Sequence, residues 1–228
     1  MSKKCDLKNL YETIPDFHDT KKSYEAFIDA VEKDKKGRVA FCLDDIAFAM
    51  KRAKDTELLV NMLAEGELPL RVTHNDTKFN NVMTDDITGE GIVLIDLDTL
   101  MPGLALYDFG DAISFGATTA LEDEADLSKV NFDINLYEHF TKGYLESAKY
   151  TLTKNEIEYL PFSAKLIALE LGIRFLTDHL NGDSYFKVNR KNHNLDRTRN
   201  QFKLVADMEE NMDAMKAIIQ KYCVMETV

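Results

Sequence analysis

The chain has 228 residues, 45% of them hydrophobic and 30% charged, with a net charge of −12. That length and apolar share support one large or two small globular units with a buried core, and exclude a disordered or fibrous chain. The acidic balance repels phosphate backbones and excludes nucleic acid as an expected partner.

Residues 1–68 read as helical. Tyr24, Phe27, Ile28 and Val31 fall at helical spacing within Ser23 to Asp34, and further helical patterns cover about 40–53 and 56–65. Gly66 and Pro69 close the third. The texture then changes. Leu70 to Thr73, Asn81 to Thr84 and Ile92 to Ile95 are short strand candidates, the last two joined by the turn-forming DDITGEG. The strand Ile92-Val93-Leu94-Ile95 is apolar throughout and is expected to be buried.

The chain is helical again from about residue 133. Thr153 and Glu156 have the spacing of a capping box, and Pro161 is read as the start of a long helix that Asn181-Gly182 ends. One last helix is expected from near Asn194 to near Tyr222. Its stripe of Leu195, Phe202, Val205, Met208, Met212, Met215 and Ile219 reads as core packing. The fold class is therefore α+β, predominantly helical, with a small β island. Its parts are 1–68, helical; 69–115, the chemistry-bearing loop and strands; and 116–228, helical.

Cys5, Cys42 and Cys223 are odd in number, with no CxxC, so no disulfide framework is expected. No window approaches 18 consecutive apolar residues, and the N-terminus lacks a signal-peptide run. A cytoplasmic protein with no membrane partner is the expectation.

The residues that carry chemistry cluster in one stretch. His74-x-Asp76 is followed by Asn81, and fifteen residues after that the apolar strand delivers Asp96-x-Asp98. Phosphoryl transfer needs these types: a carboxylate to take or orient the proton of an attacking hydroxyl, and an amide oxygen and a carboxylate to hold Mg²⁺ against nucleotide phosphates. On that reading Asp76 is the base, Asn81 and Asp96 are metal ligands, and Asp98 is a second carboxylate ligand. His74 is assigned a structural role in the loop. The competing reading makes these residues turn caps on a solvated edge. Arg174 interrupts an apolar helical stretch, so its guanidinium needs a substrate, a carboxylate such as Asp76, or an ion pair with Glu170 one turn earlier.

The stretch resembles the motif of the aminoglycoside phosphotransferase and choline kinase superfamily. More narrowly, THNDTKFNNVM, VLIDLDTLMPGLALYDFGDAI and LPFSAKLIALELGIRFLTDHLNGDSYF resemble the N-acetylhexosamine 1-kinases, as do LYETIPDFHDTKKSYEAF and HNLDRTRNQFKLV. The resemblance implies the C-terminal lobe of a protein-kinase-like fold. It implies transfer of the ATP γ-phosphate to the anomeric hydroxyl of N-acetylglucosamine or N-acetylgalactosamine, with Mg²⁺. It matches Asp76 to the catalytic aspartate, which also contacts the sugar, and Asp96 to the metal-binding one. Arg174 and Tyr185 match positions lining the sugar pocket. Asp108-Phe109-Gly110 spells DFG, but in this family the metal aspartate is the one at the strand end. Asp108 is instead expected to cap the next helix and brace the catalytic loop.

Such a fold also needs an N-terminal lobe, a twisted sheet with a phosphate-covering loop and a lysine. The 73 residues before His74 read as helices with no glycine-rich loop. The N-lobe is therefore expected to lie before Met1, or on a separate polypeptide. Two alternatives follow: a non-catalytic sugar- or partner-binding module, or a related kinase for choline, an aminoglycoside or homoserine.

Overall fold

The computed structural model describes residues 7–223. Helix α1 (Thr20–Lys33) begins where the Asp19 carboxylate accepts the Lys22 amide, and stops at Asp34, whose φ is 35°. Two shorter helices follow, α2 (Leu43–Met50) and α3 (Ala53–Ala64). The β island then forms from four short strands: β1 (Arg71–Thr73), β2 (Val82–Thr84), β3 (Gly91–Leu94) and β4 (Met101–Gly103). β1 pairs antiparallel with β4, Val72 opposite Pro102. β2 pairs antiparallel with β3, Met83 opposite Val93, with an irregularity between Met83 and Thr84. Among the described residues four α-helices follow α4 (Ala105–Gly116): α5 (Ile134–Ala148), α6 (Lys154–Asn181), α7 (His193–Glu210) and α8 (Met212–Cys223).

Helix α6 is the axis of the molecule. Its 28 residues span ~42 Å, and it packs on α1, α4 and α7. It is apolar on nearly every side, as a helix surrounded by others must be. Its N-terminal half puts Leu160, Ala164 and Ile167 into a core shared with α4, α5 and α8. Its C-terminal half puts Leu169, Ile173, Leu176 and Leu180 into a second core with α1, α2 and α7. Of the C-terminal stripe, Leu195, Phe202, Val205, Met208, Met215 and Ile219 are buried, while Met212, at the break between α7 and α8, is only half-buried.

Four expectations need correction. The long helix starts at Lys154, not at Pro161, because the Thr153–Glu156 capping box is made in full and sets the first turn earlier. Glu156 is held there by Arg71, whose Nε and Nη2 donate to its two oxygens at 2.8 and 2.7 Å. Pro161 lies inside the helix, where it leaves the Ile157 carbonyl without its helical donor. The last helix is two helices, broken at Asn211. β4 was not foreseen, since Met101-Pro102-Gly103 has no strand pattern and is a strand only because β1 pairs with it.

The fourth correction concerns the strand leading to Asp96. Ile92, Val93, Leu94 and Ile95 are all exposed, Ile92 at 63%. An apolar run predicts burial only when both faces are covered, and among the described residues nothing covers either face of the β2–β3 ribbon. No helix among the described residues is long and apolar enough to cross a membrane.

Candidate active site

The loop from His74 to Asn81 leaves β1 and is held from two sides, by α4 and by the segment from Ile95 to Thr99. Beneath it lies the first half of α4. The Asp108 carboxylate accepts the backbone N–H groups of His74 and Asn75 at 3.0 and 2.8 Å. One turn on, Asp111 accepts both the backbone N–H and the hydroxyl of Thr77. Burial pushes both carboxyls up, that of Asp111 to about 6, while the hydrogen bonds they accept act in the opposite direction. The residue that starts α4 is Leu104, with no side-chain cap, so Asp108 does not cap the helix but braces the loop from inside its first turns.

The loop is tied sideways to the segment that carries Asp96. The His74 Nε2 is 3.0 Å from the carbonyl oxygen of Ile95, and its Nδ1 is 3.3 Å from the Asp76 amide nitrogen. A carbonyl accepts and an amide N–H donates, so the ring is the neutral tautomer with its proton on Nε2. His74 therefore sets the spacing between the loop of Asp76 and the residue before Asp96. Thr99 and Asn75 add a second tie: the Thr99 hydroxyl donates to the His74 carbonyl at 2.7 Å, and the Asn75 side chain donates to the Thr99 carbonyl at 2.9 Å.

Within this frame the Asp76 carboxylate is oriented by one of its two oxygens. Oδ2 accepts from Lys78 Nζ and from Asn81 Nδ2, both at 2.8 Å. Asn81 Nδ2 also donates to the Asp76 carbonyl at 2.9 Å. Among the described residues no donor reaches Asp76 Oδ1 or Asn81 Oδ1, which are left for other partners. Burial works against the Lys78 charge, but its hydrogen bond to Asp76 and the fields of Asp76, Asp96 and Asp111 outweigh it and raise its pKa. Asp96 stands in the left-handed region at φ 61°, exposed with Asp98 beyond the end of β3. Asp98 is tied by its backbone, whose carbonyl accepts the Thr13 hydroxyl at 3.1 Å.

The residue types fit a magnesium ion. Among the described residues no three acidic, histidine or cysteine side chains converge into a cage. Magnesium needs none, because it is usually held by one or two carboxylates together with phosphates and water. Asp96 and Asp98 are exposed carboxylates and Asn81 is a buried amide, the types of oxygen donor that such an ion takes.

On the buried side, Asp76 opens into a cavity of about 190 Å³ whose wall includes Asp111, Glu170, His18 and Arg174. Arg174, Phe17, His18 and Glu170 also line a larger neighbour of about 380 Å³ that reaches Tyr185 and Phe186. The Arg174 guanidinium sits 5.5 Å from the Phe17 ring centre and 5.7 Å from that of Phe186. It makes no ion pair with Glu170, whose two oxygens are taken by His18 at 2.8 Å and Ser23 at 3.1 Å. Tyr185 is 70% exposed at the cavity rim. Its loop is organised by buried Asp178, which accepts the amides of Ser184, Tyr185 and Phe186 at 2.9, 2.9 and 3.0 Å.

The sequence reading missed Lys78, Asp111, Asp178 and His18. Lys78 had a signal, since it lies two residues from Asp76 in the same loop. The other three are single polar residues in otherwise ordinary segments, and only the packing of α4 and α6 against the loops brings them to the site. The loop, its braces on α4 and the aspartate beyond β3 form one unit of consecutive segments from β1 to α4. The model of the phosphotransferase enzyme family matches residues 5–144, more than half of the chain and the whole of that loop-and-strand unit, and the chain belongs to this family.

Proposed function

We propose that this chain carries the acceptor-binding and catalytic half of an ATP- and Mg²⁺-dependent kinase for a small hydroxyl compound, with N-acetylglucosamine or N-acetylgalactosamine phosphorylated at the anomeric hydroxyl. The observation that carries the reading is the Asp76 carboxylate. One oxygen is pinned by Lys78 and Asn81, the other has no donor among the described residues, and Asp76 lines a cavity that also includes Arg174. The acceptor hydroxyl oxygen would attack the γ-phosphorus while its proton passes to Asp76 Oδ1, and the bond to the bridging oxygen breaks to release ADP. A bound magnesium ion supplies charge neutralisation on the phosphates, and Asp96, Asn81 and Asp98 are the residues to hold it. Lys78, hydrogen-bonded to Asp76, brings positive charge to the place where the phosphoryl group arrives.

Arg174 and Tyr185 serve this reading as acceptor contacts. Arg174 has no carboxylate partner among the described residues, which suits a donor to sugar hydroxyl or acetamide oxygens. The same guanidinium disfavours a cationic acceptor such as choline or an aminoglycoside. The exposed apolar ribbon of Met83, Ile92 and Leu94, with Phe79 beside it, is the surface that a phosphate-binding lobe would cover, on the same polypeptide or another.

A coupled assay for ADP release over a panel of N-acetylhexosamines, choline, homoserine and an aminoglycoside tests the reading. Asp76→Asn is expected to lower kcat by at least roughly 10²-fold. Unchanged turnover in that variant would remove Asp76 from the chemistry. Among the described residues no strand precedes Arg71, and this favours a second reading, a sugar-binding module without turnover. A thermal shift with N-acetylglucosamine and none with Mg-ATP would support that one instead.

A further inference from the structure

His18 lies in the loop before α1, in the left-handed region at φ 59°, a conformation that a residue other than glycine keeps only when its contacts hold it. Its ring is 5% exposed and joins that loop to two other elements. Nδ1 is 2.8 Å from Glu170 Oε2 on α6. Nε2 is 3.4 Å from the carbonyl oxygen of Asn75, the residue before Asp76. A backbone carbonyl can only accept, and so can an ionised carboxylate. Glu170 is ionised: burial pushes its pKa up, but the charge and hydrogen bond of His18 outweigh this and hold it below the usual carboxylate range. A ring that meets an acceptor on each nitrogen needs a proton on each. With one proton gone, the Nε2 lone pair would face the lone pairs of the Asn75 carbonyl.

We infer that His18 is a positioning residue: an imidazolium anchored by Glu170, it holds the Asn75–Asp76 peptide in place and releases it when it loses its proton. This rests on the reading of Asp76 as the base, and it adds a control on that base from outside the catalytic loop. Glu170 and Arg174 face the ring from α6, and Asp108, Asp111 and the Tyr107 ring face it from α4. Phe17 packs on it from its own loop, and Ser23 of α1 holds the second Glu170 oxygen. Burial and Arg174 oppose the positive charge, yet Glu170 and Asp111 prevail and the pKa is raised. The sign follows. The contact with Asn75 is complete below the ordinary histidine range and is lost as pH rises through the raised value.

Nitrogen-15 magnetic resonance of the full chain over pH 5 to 10 tests this without requiring turnover. Both His18 ring nitrogens should show the imidazolium signature at pH 6.5. The Asn75 and Asp76 backbone amide signals should move with the same midpoint as the ring. Glu170→Gln, which keeps the shape and removes the charge, should lower the ring and amide midpoints together by about 1–3 pH units. His18→Gln should abolish the alkaline movement of the Asp76 amide; if that variant does not fold, the wild-type and Glu170→Gln titrations decide. A neutral His18 at pH 6.5, or an Asp76 amide that ignores the His18 titration, would overturn the inference. In a preparation that phosphorylates N-acetylglucosamine, the alkaline limb of kcat should shift down in Glu170→Gln by the same interval. Absence of turnover with every acceptor would sink the kinase reading alone, because the resonance titration still decides the contact.

Discussion

Asp108 and Asp111 show how buried carboxylates serve a site without touching a ligand. Each sits on α4 beneath the loop and takes up backbone N–H groups that the turn leaves without helix or sheet partners. Replacing Asp108 with Ala would strand the amides of His74 and Asn75 in a buried place. Each such loss costs about 1–3 kcal/mol, so the variant should be destabilised by about 2–6 kcal/mol in urea unfolding. A loss under about 0.5 kcal/mol would mean that the loop is held by its other ties. Three residues of the site, His18, Asn75 and Asp96, adopt positive φ without being glycine. Each is placed by contacts distant in sequence or flanked by one, and no local pattern announced any of the three.

At the level of elements, the site depends on how closely α4 approaches α6. Gly110 makes that approach possible, since a Cβ there would lie 2.5 Å from the Ser163 carbonyl oxygen and 2.7 Å from Ile167 Cγ1. The first of these is backbone within the long helix and cannot swing aside. Gly110→Ala should therefore cost about 1–3 kcal/mol in urea unfolding, as overpacking does. It should also lower activity more than a surface change of equal size, because α4 carries both loop braces. The letters Asp108-Phe109-Gly110 thus have a packing explanation: an acid for the loop, a ring for the core and a residue without a side chain for the crossing. Phe109 is fully buried among Tyr137, Phe140 and Tyr144.

For the whole molecule, the β2–β3 ribbon is the unusual surface. It presents Met83, Ile92, Val93 and Leu94 to solvent in a chain of net charge −12. Ile92→Thr should change stability by no more than about 0.5 kcal/mol, the range for surface positions, and should reduce self-association in sedimentation. A loss of about 2 kcal/mol or more would instead place Ile92 in a packed interior. The phosphotransferase family match spans this ribbon and the loop before it. Under the proposed function a phosphate-binding lobe would cover the ribbon, which would account for an apolar run that reads as buried and stands exposed in the described residues.

The candidate site was legible because it is local. Asp76, Asn81 and Asp96 lie within 21 residues of one another, and a catalytic loop followed by a strand-borne aspartate leaves its spacing in the chain itself. Helical periodicity, the capping box at Thr153 and the stop at Gly182 were legible for the same reason, since each is set by residues within one or two turns. Boundaries decided by partners were not. β4 exists through β1, and the exposure of Ile92 to Ile95 depends on what lies beside them. In the supporting shell the brace by Asp108 was expected, whereas the contacts of His18, Glu170, Asp111 and Asp178 were decided by tertiary structure. Its members come from separate segments of the chain, and a buried charge acquires a role only from the groups that surround it.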